Sequence, residues 1–192
     1  GLGNQMFQLA TGKALATRLG VELQLDTTYF DRARAVEFDL GLHRFGHGCR
    51  EARPSSLPPM RMRGLASYIG GRLTGRGLNI FHEKATAYDP AFETLGDDTF
   101  LHGYWQSEKY FRGYADVVRQ ALTFVTPPSS ENQNALDGME NCLPVSLHTR
   151  RGDYVTNPKF NAVLGTCDLD YYQRAAIYLA ENTEKEPVFY AF

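Results

Sequence analysis

Pro144-Val145-Ser146-Leu147-His148-Thr149-Arg150-Arg151-Gly152-Asp153-Tyr154 is the stretch on which the reading of this chain turns. Residues 144 to 149 read as a short strand, and two adjacent arginines, a glycine and an aspartate follow directly. In open α/β sheets, ligands bind beyond the carboxyl ends of the strands. Arginine presents a planar fork that matches phosphate oxygens, and it keeps its charge at any working pH. Neighbouring side chains on extended backbone point in different directions, so one guanidinium can meet an anion while the other braces the loop. Asp153 is placed to pin a guanidinium or to accept from a sugar hydroxyl. The same residues also fit a surface ion-pair turn. Arg151-Gly152-Asp153 spells an adhesion tripeptide as well, one that is common by chance and here follows a buried strand.

Working outward from that stretch, Asp168 is expected to cap a helix running to about Glu181. Val188 to Phe192 reads as a buried strand, which completes a β-turn-α-β unit. At the other end of the chain, Gly1-Leu2-Gly3-Asn4-Gln5 reads as a glycine turn with Asn4 capping a helix to about Leu19. Met6, Phe7, Ala10, Ala14 and Leu15 recur there at helical spacing, and Gly20 stands just past the end. Glycines let backbone approach a ligand closely, and a helix start offers free amides to a phosphate, though a plain strand-to-helix turn explains the same residues. Val21 to Asp26 alternates like a half-buried strand. Thr99 to Gln106 is expected to be another strand, with Ser107 capping a helix to about Leu122. Pro127-Pro128-Ser129-Ser130 interrupts every regular pattern and divides the chain into residues 1–126 and 127–192. Strands alternating with helices predict an α/β fold with parallel sheets. Both ends look cut, so the expectation is a fragment that is inactive in isolation.

With 192 residues, 43% of them hydrophobic and 22% charged, the composition is that of a globular protein of one generous or two small domains. A formal net charge of -2 gives no long-range pull toward nucleic acid. There is no run of about 18 apolar residues to span a membrane, and the start does not read as a signal peptide. The three cysteines, Cys49, Cys142 and Cys167, are widely spaced and form no CxxC pair. With no Asn-x-Ser/Thr acceptor either, the chain leans toward a reducing compartment.

Other motifs carry less. Asp168-Leu169-Asp170 has the form of an Asp-x-Asp metal motif, but a helix start explains Asp168 as a cap. His43, His47, His82 and His102 show no ligand spacing. The segment 41–78 carries Arg50, Arg53, Arg61, Arg63, Arg72 and Arg76, and reads as a solvated connection before it reads as a surface for acidic headgroups. Gly103 to Phe111 holds the only tryptophan and reads as a packing seam between strand and helix.

Taken together, Gly1-Leu2-Gly3-Asn4-Gln5-Met6-Phe7-Gln8, Gly103–Phe111 and His148-x-Arg150-Arg151-Gly152-Asp153-Tyr154, followed by Asp170-Tyr171-Tyr172, resemble the bacterial-type α-1,2-fucosyltransferases of glycosyltransferase family 11. The resemblance implies a GT-B-type pair of Rossmann-like domains, the second one incomplete here. Residues 1–126 would form the acceptor side, and 127–192 would begin the donor domain. It implies GDP-fucose as donor, a galactose-terminated glycan as acceptor, inversion at the sugar, and no cofactor or metal. By the same resemblance Arg150 and Arg151 would hold the diphosphate, with His148 and Asp153 supporting the pyrophosphate and sugar. Gly3, Asn4 and Gln5 would approach the donor from the other domain, and Arg150, Arg151 and Asp153 would be the catalytic residues. The location implied is cytoplasmic and peripheral to a membrane, or the Golgi lumen had an anchor been lost. Two other readings stay open: a non-catalytic anion- or nucleotide-binding α/β module, and a metal-dependent glycosyltransferase using Asp168 and Asp170.

Overall fold

The computed structural model describes residues 1–31, 39–58, 79–149, 155, 162 and 165–191. Alanine and leucine, both strong helix formers, populate the long first helix, α1 (Leu2–Leu19), and supply its buried side through Leu9, Ala10, Ala14 and Leu15. Gly20 ends it at φ 68°, with its own amide bonded to the Thr17 carbonyl at 3.3 Å and the Val21 amide bonded to Ala16 at 3.0 Å. That crossed pair is a Schellman closure, and only glycine takes the left-handed position without strain. The helix starts earlier than its sequence implies. Gly1 is the cap, Leu2, Gly3 and Asn4 are already helical, and no separate glycine turn forms. Asn4 does not cap because its side-chain oxygen accepts from Gln106 Nε2 at 2.6 Å and so cannot fold back onto the helix amides.

Gln5 faces the other way and is only 6% exposed. Its Nε2 donates to the Asp39 carbonyl at 2.8 Å, and its Oε1 accepts from the Gly41 amide at 2.9 Å, so one side chain staples α1 to the 39–41 segment.

The strands that follow are short and pair in parallel. β1 (Gln24–Leu25) lies beside β2 (Arg50–Glu51), and Arg50 meets Glu22 at 3.2 Å on the exposed side. The strand expected over residues 21–26 is this brief because Val21 still belongs to the closure of α1. β3 (Asn79–His82) pairs with β4 (Thr99–His102), and the ladder continues through the Glu83 amide to the His102 carbonyl at 3.0 Å. Arg61, Arg63, Arg72 and Arg76 lie outside the described residues.

Beyond β4 the single helix expected from Ser107 to Leu122 is broken. Short 3-10 turns at Glu108–Tyr110 and Arg112–Tyr114 precede α2 (Ala115–Ala121). Tyr110 is drawn into the core, where its hydroxyl accepts from the Asp89 amide at 2.9 Å, and Gly113 is a poor helix former. Leu15, Phe92, Leu95, Trp105 and Tyr110 form one apolar cluster, and Leu9, Leu42 and Phe45 form a second.

The chain divides into two compact units, Gly1–Thr126 and Pro127–Phe192. The second opens with α3 (Ser130–Glu140), capped by Ser129, whose hydroxyl accepts from the Asn132 amide at 3.3 Å. The sequence reading treated this segment only as a boundary. β5 (Leu143–Leu147), α4 (Leu169–Asn182) and β6 (Pro187–Ala191) complete it, with β5 and β6 parallel from Leu143↔Pro187 to Leu147↔Ala191. The expected β-turn-α-β unit is therefore present, and the class is α/β with small parallel sheets. No described residue of this unit is fully buried, and Leu136, Leu169, Ile177, Tyr178 and Phe189 stand exposed. No helix among the described residues is long and apolar enough to cross a membrane.

Removing the staple tests the first unit. Gln5→Ala leaves the Gly41 amide and Asp39 carbonyl without partners, and urea unfolding should show a loss of about 1–3 kcal/mol. An unchanged midpoint would show that the staple carries no stability.

The paired strands also bring His82 opposite His102, with ring centroids 5.0 Å apart. Burial, then the neighbouring His102, holds the His82 pKa below its ordinary value. The folded state thus favours neutral His82. Stability from this group is complete above the unfolded pKa of about 6.5 and is lost as pH falls through it, because the unfolded chain takes up the proton first. His82→Gln should reduce the drop in thermal midpoint between pH 7.5 and pH 5, and a variant with the full wild-type drop would remove His82 as a contributor.

Candidate functional site

In the second unit the backbone leaves β5 at His148, which is exposed. Tyr172, in the first turn of α4, donates its hydroxyl to the His148 carbonyl at 3.1 Å. Asp168 starts that helix by accepting from the Tyr171 amide at 2.8 Å, as its sequence position implied. The carboxyl end of a strand and the amino end of a helix are thereby tied together. In an α/β sheet this is where ligands bind, and the unpaired amides and positive dipole end of the helix favour an anion. Arg150, Arg151 and Asp153 lie outside the described residues, so His148 is the member of that set whose position is given. One oxygen of Asp168 is committed to the cap, and among the described residues no group of three or more His, Cys, Asp or Glu side chains is gathered to hold a metal ion.

In the first unit, Gly3, Asn4 and Gln5 occupy the opening turn of α1. A side chain added at Gly3 would meet nothing within 4 Å, so packing does not demand a glycine there. Asn4 leans toward Gln106, while Gln5 spends both ends of its amide on the protein's own backbone. Along this helix lies a cleft of about 1060 Å³, lined by α1 from Asn4 to Leu19, by residues 21–30 around β1 and by residues 96–105 along β4.

The most tightly built part of that cleft is the turn after β4. The Glu83 carboxylate accepts from the Tyr104 amide at 2.7 Å with one oxygen and from the Trp105 amide at 2.9 Å with the other. Trp105 sits at φ 59°, which is strained for a bulky residue, and is 1% exposed. Its ring stacks on Phe81 at 5.6 Å and meets the edge of Tyr110 at 5.3 Å. A side chain at Gly103 would collide with Glu83, so this position needs its glycine. Gln8 donates to the Gly103 carbonyl at 2.8 Å and closes the turn against α1.

Sequence reasoning missed Glu83 and the closeness of His82 to His102, because it did not identify β3. The available signal was the short apolar pair Ile80-Phe81 following Gly77, which fits a strand start.

Comparison with known proteins now adds to this geometry. Residues 88–192 match the family described as Glycosyl transferase family 11. The chain is 30% identical to the Alpha-1,2-colitosyltransferase of Escherichia coli, with all of it aligned and 65% of that protein covered. It is 43% identical to the O-antigen biosynthesis glycosyltransferase WbnK of Escherichia coli, again over its whole length and over 69% of that protein. The chain thus spans roughly two thirds of the length of the curated relatives it matches. No solved structure matches it significantly. Its motifs, its α/β class and these matches agree, and the chain belongs to glycosyl transferase family 11.

Proposed function

We propose that the protein transfers fucose from GDP-fucose to the 2-hydroxyl of a terminal galactoside, with inversion and without a metal. The supporting observation is the exit from β5. The backbone is tied there to the start of α4 through Tyr172 and His148, and the next residues in sequence include Arg150 and Arg151. On this reading the two units belong to a GT-B arrangement, and the second one handles the donor.

The chemistry follows from charge. The acceptor oxygen attacks the sugar C1 from the face opposite the leaving group, the bond from C1 to phosphate oxygen breaks, and negative charge accumulates on the departing GDP. Arg150 and Arg151 neutralise that charge, which is the work a divalent cation does elsewhere. The centre at C1 is oxocarbenium-like in the transition state, so a weakly activated hydroxyl suffices as nucleophile. Asp153 is the nearest candidate to take its proton. His148 supports the pyrophosphate, and Gly3 and Asn4 flank the donor from the first unit, with Gln5 acting behind them through its hold on the 39–41 backbone.

A second donor is favoured by one specific observation, the similarity to an Alpha-1,2-colitosyltransferase. Colitose is fucose without its 3-hydroxyl. A site built to hydrogen-bond that hydroxyl rejects the deoxy sugar strongly, whereas a site lined by apolar atoms discriminates weakly. Competing the two nucleotide-activated sugars in one assay separates these readings, and the fucosyl donor is expected to have the larger kcat/KM.

Arg150→Lys keeps the charge and loses the fork. Turnover of the natural protein should fall by about 10²–10³, with little change in thermal midpoint. Unchanged turnover would remove Arg150 from its assigned role.

A further inference from the structure

We propose that Gln106 is a positioning residue: it holds the Asn4 side chain by its amide oxygen, so that Asn4 presents its NH2 group to the donor. That Asn4 meets the donor rests on the function proposed above. Which end of its amide it presents rests on the geometry of the first unit alone.

Polarity supplies the first argument. An asparagine amide has two ends of nearly the same shape and opposite hydrogen-bonding character, and its neighbours decide which end is presented. Gln106 Nε2 donates to Asn4 Oδ1 at 2.6 Å, across 102 positions of sequence. The oxygen is therefore engaged, and the Asn4 NH2 has no partner among the described residues. The phosphate and sugar oxygens of a nucleotide sugar accept hydrogen bonds, so NH2 is the productive end to turn toward them. The reverse orientation would set one acceptor against another.

The way Gln106 is held is the second argument. Its side chain is exposed, so its grip on Asn4 depends on how firmly its backbone is fixed. Trp105, the residue before it, is 1% exposed and sits at φ 59°. Glu83 takes the Tyr104 and Trp105 amides on its two oxygens, at 2.7 and 2.9 Å. The Ser107 amide then reaches back to the Trp105 carbonyl at 2.8 Å, which leaves Gln106 at the tip of a three-residue turn. Gln8 ties the same turn to α1 again, through the Gly103 carbonyl at 2.8 Å. Asn4 and Gln8 share one face of the helix, so the turn is registered against α1 at two points one helical turn apart. Backbone strain of the kind at Trp105 persists only where the surroundings over-determine it. Here the strained turn delivers one amide to another.

A mere strut between helix and turn predicts the opposite result from a positioning residue when Gln106→Glu is made. A glutamate cannot donate to Asn4 Oδ1, but it can accept from the NH2 group and so turn the amide around. A strut survives that change, whereas the presented end of Asn4 does not. With GDP-fucose and methyl β-galactoside as substrates of the natural protein, Gln106→Ala should lower kcat/KM about tenfold, and Gln106→Glu should lower it further. Thermal midpoints should stay unchanged, because the pair is exposed. In the Asn4→Ala background Gln106→Ala should have no further effect, and any loss from Gln106→Glu there measures its added charge alone. With that charge effect subtracted, Gln106→Glu more active than Gln106→Ala would overturn the proposal. A Gln106→Ala loss that persists without Asn4 would do the same. The side-chain NH2 signals of Asn4 in ¹⁵N-labelled protein give a reading that needs no turnover. GDP-fucose should shift them in the wild type and hardly move them in Gln106→Glu. Signals unmoved in the wild type would overturn the role of Asn4 and with it that of Gln106. A wild type that shows the shift and transfers no fucose would count against the proposed reaction and leave the positioning role standing.

Discussion

A single carboxylate organises the first unit. Glu83 reaches from the end of β3 and takes the amides of Tyr104 and Trp105 on its two oxygens. Hydrogen bonds from amides to an ionised acceptor are among the stronger ones available to a protein. Two of them offset the cost of holding a bulky residue at positive φ, of order 1–3 kcal/mol. Once the backbone turns there, the indole must enter the core between Phe81 and Tyr110, and the apolar cluster with Leu15, Phe92 and Leu95 closes around it. The same turn fixes the Gly103 carbonyl that Gln8 of α1 binds.

The second unit is held differently. Its described residues include no fully buried side chain, and its order comes from the parallel β5–β6 ladder, two well-made helix caps and the Tyr172 hydroxyl on His148. Hydrogen bonds of this kind contribute about 1 kcal/mol each when exposed to water, much less in total than a core does.

What was legible in the sequence follows from how local each signal is. α4 was readable because Asp168 and a periodic apolar run announce it, and β5 and β6 because each is a short apolar run set off from the polar residues around it. The α/β class followed from their alternation. α3 was not readable, since Ser-Glu-Asn-Gln-Asn-Ala-Leu-Asp-Gly-Met-Glu is polar nearly all round and buries nothing. The helix from Ser107 was overextended because its aromatic residues pack inward as individuals, a tertiary effect that propensity cannot carry. The pairing of His82 with His102 depends on strand register, and so does the position of Glu83 next to the turn. The roles assigned to Arg150, Arg151 and Asp153 came from the family motif, whereas Glu83 emerged only from geometry.

The opening motif shows how one short sequence can serve both structure and site. Residues four apart on a helix share a face, so Asn4 and Gln8 lie one above the other, while Gln5 stands about 100° away with Leu9 beneath it. The inward pair is buried, and Gln5 is consumed by the 39–41 segment. The outward pair is oriented by Gln106 and by the Gly103 carbonyl. Exchanging the phases of Asn4 and Gln5 would therefore not be neutral, although both are small amides. An asparagine at the inward position is one methylene short of spanning Asp39 and Gly41, and a glutamine at the outward position would overreach Gln106. The order Asn-Gln is thus set by distances on two different faces of a single helical turn.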